Sequence, residues 1–249
     1  MGKIKPLGIY SELLTFNSKQ QKTYEKTGVV QVGLELSSGT VDGVAMCPTA
    51  VARDYDCQKP GACVKFGGNG RFTTVELARL RRSRELIADR RGFEARLKAE
   101  IEHCSNVAAL KGIELAVRLN TFSDQTWMRL IRQLPGVRFF DYTKERRRFN
   151  RFMNGDLPSN YDLTFSMSET SRPSDMLKIV ERGFNVSVLY YGAMPTEYLG
   201  KQVIDGDSTD ARWLDPKGVF VGLSGKAGMR SESFRNSKFL RIVNGEPRA

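Results

Sequence analysis

Cys47, Cys57 and Cys63 fall within 17 residues, spaced Cys-x9-Cys-x5-Cys. Thiolates are soft ligands suited to iron–sulfur clusters and zinc. Three of them on one loop can hold three irons of a [4Fe–4S] cluster and leave the fourth open to a small-molecule ligand. Zinc is the alternative, with Cys104, His103 or a carboxylate as fourth ligand. The spacing matches neither a zinc ribbon nor a ferredoxin run, and three unconnected structural thiols is the plainer reading. Cys104 lies at a helical position among apolar neighbours and is expected to be a buried core thiol. His103 is the single histidine, which excludes a His-rich metal site.

Two further residue sets carry chemistry. Asp205, Asp207, Asp210 and Asp215, with Asp141, are carboxylates of the kind that hold Mg2+ for phosphoryl transfer, so a hydrolase or nuclease is one reading. Formal net charge is +11. Residues 71–100 contribute +4, as nine basic against five acidic residues, and residues 144–151 another +4. A basic balance attracts polyanions, so Arg81, Arg82, Arg84, Arg146, Arg147 and Arg148 are candidate phosphate contacts to nucleic acid or nucleotide. A solvated basic surface is the simpler account. Gly67, Gly68 and Gly70 precede a helix, a weak phosphate signal without the P-loop lysine.

The elements that position these groups follow from hydrophobic pattern. Residues 1–28 read as irregular. Val29–Leu36 alternates with period two, as a half-buried edge strand does, and Val41–Met46 reads as the first strand of the main sheet. A loop spans 47–70. A helix begins near Thr73 and Thr74, with Glu76 completing a capping box; Gly92 breaks it, and a second helix runs through Cys104. Strands at Glu114–Leu119, Val137–Tyr142, Tyr161–Met167, Val186–Tyr191 and Val219–Leu223 then alternate with helices at Asp124–Leu134, Lys144–Met153 and Ser174–Arg182. That alternation implies parallel pairing and right-handed crossovers. Six strands in βα order predict a six-stranded parallel (βα)6 partial barrel with an N-terminal β-hairpin extension; a doubly wound open sheet is the competitor. One domain is expected, with an extension and edge strand over 1–40, the barrel over 41–226 and a tail over 227–249.

In such folds ligands bind beyond the carboxyl ends of the strands. Asn120, Ser123 and Asp124 follow the second strand, Asp141 and Lys144 the third, and Ser166, Ser168 and Glu169 the fourth. No apolar run is long enough for a membrane span and the first residues lack a secretory pattern, so a cytosolic setting is expected.

Six short blocks carry a family resemblance: MCPTAVARDYDCQKPGAC (46–63), AVRLNTFSD (116–124), FFDYTK (139–144), YDLTFSMSE (161–169), VIDGDSTDARWLDP (203–216) and GVFVGLSGK (218–226). On these the chain resembles the phage gene product 88 domain family, for which no settled biochemical function is implied; the resemblance places the protein in the cytoplasm of an infected host. A looser likeness is to radical S-adenosylmethionine enzymes, whose (βα)6 partial barrels carry three cluster cysteines after the first strand. That likeness implies cluster ligation by Cys47, Cys57 and Cys63. It implies S-adenosylmethionine near Asn120, Ser123, Asp124 and Ser168, and substrate chemistry at Asp141, Lys144 and Ser166, within nucleotide or nucleic-acid metabolism.

Overall fold

The computed structural model describes residues 2–59, 63–66, 68–225 and 237–247. Gly67 and Lys226, and the tail over 227–236, lie outside the described residues. The chain opens with an antiparallel hairpin, β1 (Gly2–Ile4) and β2 (Ile9–Ser11), then β3 (Leu14–Thr15) and α1 (Ser18–Thr27). Residues 2–28 thus form regular elements rather than an irregular stretch. Helix α1 buries only Gln20 and Thr23, so hydrophobic period could not reveal it. A capping box from Asn17 and Gln20 starts it, and Gly28 at φ 70° ends it.

Next come β4 (Val30–Leu34), β5 (Thr40–Val41), β6 (Val44–Ala45) and α2 (Pro48–Ala52). Val29–Leu36 is not an edge: β4 is buried at every position and pairs with β3 on one side and β7 (Leu115–Arg118) on the other. Val41–Met46 is not the first sheet strand. It forms half of the small β5–β6 hairpin, because Asp42 (φ 46°) and Gly43 (φ 81°) build a tight turn between two-residue arms.

Between them lie α3 (Thr73–Ala88) and α4 (Arg90–Leu110). Phe72, not a threonine, precedes α3, and no side chain caps it. The break falls at Asp89, whose carboxylate caps α4 by accepting from Gly92 N at 2.9 Å. Gly92 stays helical; a Cβ there would meet that carboxylate at 2.1 Å.

The remaining elements are α5 (Met128–Arg132), β8 (Arg138–Thr143), α6 (Arg146–Met153), β9 (Tyr161–Ser166), α7 (Pro173–Glu181), β10 (Val186–Tyr191), β11 (Glu197–Tyr198), β12 (Lys201–Asp205), β13 (Phe220–Ser224), β14 (Ile242–Val243) and β15 (Glu246–Pro247). Strands β4, β7, β8, β9, β10 and β13 are parallel neighbours in chain order, and β12 pairs parallel beyond β13. The result is a mixed α/β fold on a large, mostly parallel sheet, and no sheet is closed. β12 was hidden in the acidic connection, where only Val203 is buried.

The two faces of the sheet differ. Val30, Val32, Leu34, Leu115, Val117, Phe139, Leu163, Phe165, Val186, Val188 and Phe220 join side chains of α3–α7 in one main core. Burying such side chains stabilises by roughly 1.5–3 kcal/mol each. The opposite face carries Gln31, Gly33, Arg118, Tyr142 and Thr164, with a small apolar cluster of Val29, Ala116, Phe140 and Trp213. Helix α1 covers part of it. Gly33 permits the approach, since a Cβ there would meet Thr121 Oγ1 at 2.8 Å and Gln20 Nε2 at 2.9 Å.

Candidate functional site

The carboxyl ends of β4, β7, β8 and β9 form a polar mouth, and the three loop cysteines gather at it. Cys47 precedes α2, and its Sγ lies 3.5 Å from the Phe122 carbonyl. It is within electrostatic reach of Cys57, Cys63 and Asp124. Cys57 in turn feels Cys63, Lys144 and Glu169. Cys63 Sγ contacts Ser38 Oγ at 3.3 Å. Burial pushes the Cys47 thiol up to about 12, and the neighbouring acidic groups add to it. Burial also raises Cys57, against the opposing Lys144 ammonium. Any metal must therefore displace protons from these thiols.

Lys144 lies at the centre of the mouth. Its Nζ donates to Ser166 Oγ (2.6 Å) and the Met167 carbonyl (3.5 Å), and stands 4.8 Å from the centre of the Phe239 ring. Glu169 accepts from Asp56 N at 2.6 Å through Oε1; its Oε2 is buried with no hydrogen-bond partner among the described residues. The C-terminal segment completes the wall. Ser237 donates to Asp56, and Arg241 donates to the carbonyls of Ser168 and Ser171. β14 pairs parallel with the end of β10.

Beneath the mouth the other expected site residues are bonded to one another. Asn120 Oδ1 accepts from Ser123 Oγ (3.0 Å), Gln125 N (2.7 Å) and Trp127 Nε1 (3.3 Å). These bonds hold 120–127 as a loop, which is why helix α5 begins at Met128 rather than at Asp124. Asp141 accepts from Asn120 N (2.7 Å), Asn120 Nδ2 (3.1 Å) and Tyr161 OH (3.0 Å). Burial raises Asp141 to about 6, opposed by Arg118, those donors and Arg148. Asp124 accepts from Arg148, Thr143 Oγ1 (3.2 Å) and Lys144 N (3.1 Å). Burial would lower Arg148, yet Asp124 and the surrounding acidic groups hold it above its ordinary value. Ser168 bonds with Thr170 and Ser171.

The six arginines separate into two kinds. Arg82 is buried and donates to the carbonyls of Glu12 (3.3 Å) and Glu35 (3.1 Å). Arg148 is buried in the Asp124 network. Neither is free to contact a phosphate in this structure. Arg84 is exposed but forked onto Asp42, and Arg81 pairs with Glu85 at 3.5 Å. Arg146 and Arg147 are exposed without an ion pair among the described residues. The acidic set is held by cations: Asp210 pairs with Lys19 (2.9 Å) and Arg118 (3.3 Å), and Asp215 with Arg212 (3.1 Å). Asp141 is also within electrostatic reach of Arg118, but its hydrogen bonds come from Asn120 and Tyr161.

Among the described residues no three His, Cys, Asp or Glu side chains stand close enough to hold a metal ion as they are. In kind, the mouth still fits a thiophilic centre: three coupled thiols and one carboxylate oxygen buried without a partner. Cys104 lies in the main core and His103 is exposed on α4, with neither among the groups at the mouth. Glu169 is therefore the fourth donor that the residue types favour. Its loop position gave no sequence signal beyond following the fourth rim strand.

The Gene product 88 family model matches residues 12–239, so the chain belongs to that phage family, as the six sequence blocks implied. No curated protein and no solved structure matches. The likeness to radical S-adenosylmethionine enzymes gains no support from these comparisons. No helix among the described residues is long and apolar enough to cross a membrane.

Proposed function

We propose that this Gene product 88 protein is a (βα)6-type partial barrel that carries a thiolate-held metal centre at the mouth of its parallel strands. Cys47, Cys57 and Cys63 supply the soft ligands and Glu169 Oε2 the fourth donor. The observation that carries this reading is the buried, unpartnered Glu169 oxygen beside mutually coupled thiols; such an oxygen costs about 1–3 kcal/mol unless something binds it. A [4Fe–4S] cluster would supply electron transfer, and zinc a Lewis acid. Lys144 sets a fixed positive charge beside Cys57 and orients the Ser166 hydroxyl. Asp124 and Arg148 hold the loop on which the mouth is built. The setting is phage nucleotide or nucleic-acid metabolism in the host cytoplasm.

The test is metal analysis of protein prepared without oxygen and reconstituted separately with zinc and with iron and sulfide. Stoichiometric metal in the wild type, lost in a Cys57→Ala/Cys63→Ala double variant and weakened in Glu169→Gln, supports the centre. Metal-free protein from both preparations, or equal loading of the double variant, sinks it.

A second reading is favoured by Arg146 and Arg147, exposed on α6 without ion pairs among the described residues, in a chain of net charge +11. They would deliver a nucleic acid to the rim. Binding should then weaken with salt at a log–log slope of about −0.9 per neutralised phosphate of duplex DNA. A flat salt response removes that reading.

A further inference from the structure

The second face of the sheet carries buried polar groups with no hydrogen-bond partner among the described residues. Gln31 of β4 is fully buried, and both its amide oxygen and its amide nitrogen lack a hydrogen-bond partner among the described residues. Arg118 Nε, Tyr142 OH and Thr121 Oγ1 are likewise buried and unpartnered. These groups are not scattered. Gln31 pairs with Ala116, so Arg118, two residues on, is its diagonal neighbour on the same face. Ala116 pairs with Arg138, which sets Arg118 level with Phe140 and makes Tyr142 the next diagonal neighbour. The Arg118 guanidinium lies 4.8 Å from the centre of the Tyr142 ring. Arg212 and Trp213, on the segment that crosses this face, add unpartnered Nε and Nε1 donors.

We propose that this face binds a small oxyanion, a phosphate or a carboxylate, between Gln31, Arg118 and Tyr142. The unpartnered atoms are mostly donors, and one oxyanion offers several acceptor lone pairs at once. Asp210 shares Arg118 through Nη1 at 3.3 Å and leaves Nε of the same guanidinium open. Lys19 and Arg118 hold Asp210 below the usual carboxylate range despite its burial, and Asp215 pairs with Arg212. Arg118 keeps 17% of its side chain exposed, so the site opens to solvent. The inference stands apart from the thiol mouth and uses none of its residues.

Inorganic phosphate and acetate titrated into the full chain, followed by calorimetry and by melting temperature, test it. Saturable binding at one site supports the proposal; tighter phosphate identifies a phosphoryl ligand, and tighter acetate a carboxylate. Tyr142→Phe removes one hydroxyl with little risk to folding and should weaken binding about tenfold, the loss of one hydrogen bond to a charged group. Gln31→Glu places a negative charge against Arg118 and should abolish binding. Arg129→Gln, exposed on α5, should bind as wild type. If neither anion saturates at millimolar concentration, or Tyr142→Phe and Gln31→Glu bind as wild type, the face holds only water and the proposal fails.

Discussion

The polar groups on these strands are of two kinds, built in opposite ways. Around Asn120, Asp124, Asp141, Arg148 and Tyr161, nearly every donor meets an acceptor on a neighbouring strand or loop. Around Glu169 at the mouth, and around Gln31, Arg118 and Tyr142 on the second face, buried atoms have no partner among the described residues. The residue types are alike, so type alone does not separate scaffold from site. Satisfaction does: a closed network fixes a loop, while an open one asks for a ligand.

The comparison can be broken by substitution. The largest effect is expected for Arg148→Met, which takes the buried cation from the half-buried Asp124. We expect a loss of about 3–5 kcal/mol in urea denaturation. A loss under about 1 kcal/mol would mean the network is dispensable.

The next effect is a pH dependence. Asp141 and Asp215 are raised to about 6. Between about pH 4 and 6 the unfolded chain has lost these protons while the folded chain keeps them. Stability from these groups is therefore full below the unfolded value and falls as pH climbs towards 6. For Asp141 the fall is about 3 kcal/mol. Asp141→Asn should flatten that limb, and an unchanged slope between pH 4 and 6 would show that Asp141 does not titrate there.

A smaller effect of opposite sign is expected where groups are unsatisfied. Gln31→Leu removes two stranded polar atoms and should stabilise ligand-free protein by about 1 kcal/mol. A loss of stability would show that the amide has partners in solution. Smallest of all, Glu169→Gln keeps the oxygen that accepts from Asp56 and should leave metal-free stability within about 0.5 kcal/mol.

Much of the fold was legible because the parallel strands are apolar and separated by turns; the Val186–Tyr191 strand is identical in sequence reading and structure. The exceptions have local causes. Helix α1 has almost no apolar residues, and β12 buries a single valine. Arg82 and Arg148 look like surface charge in sequence, yet each is drawn inside by carbonyls and carboxylates from distant segments, 47 residues away for Glu35 and 24 for Asp124. The cysteine loop was expected directly after the first strand of the main sheet; it follows the separate β5–β6 hairpin instead, because the turn at Asp42 and Gly43 folds that segment back on itself. The roles of Glu169, Gln31 and Tyr142 were not legible, since an unpartnered atom is a property of surroundings that no local pattern encodes.

The C-terminal segment has a practical consequence. Ser237 reaches Asp56 across 181 residues, Phe239 covers Lys144, and Arg241 clasps the turn after β9. A chain trimmed by carboxypeptidase past Ser237 would lose β14 from the end of β10 and one wall of the mouth with it.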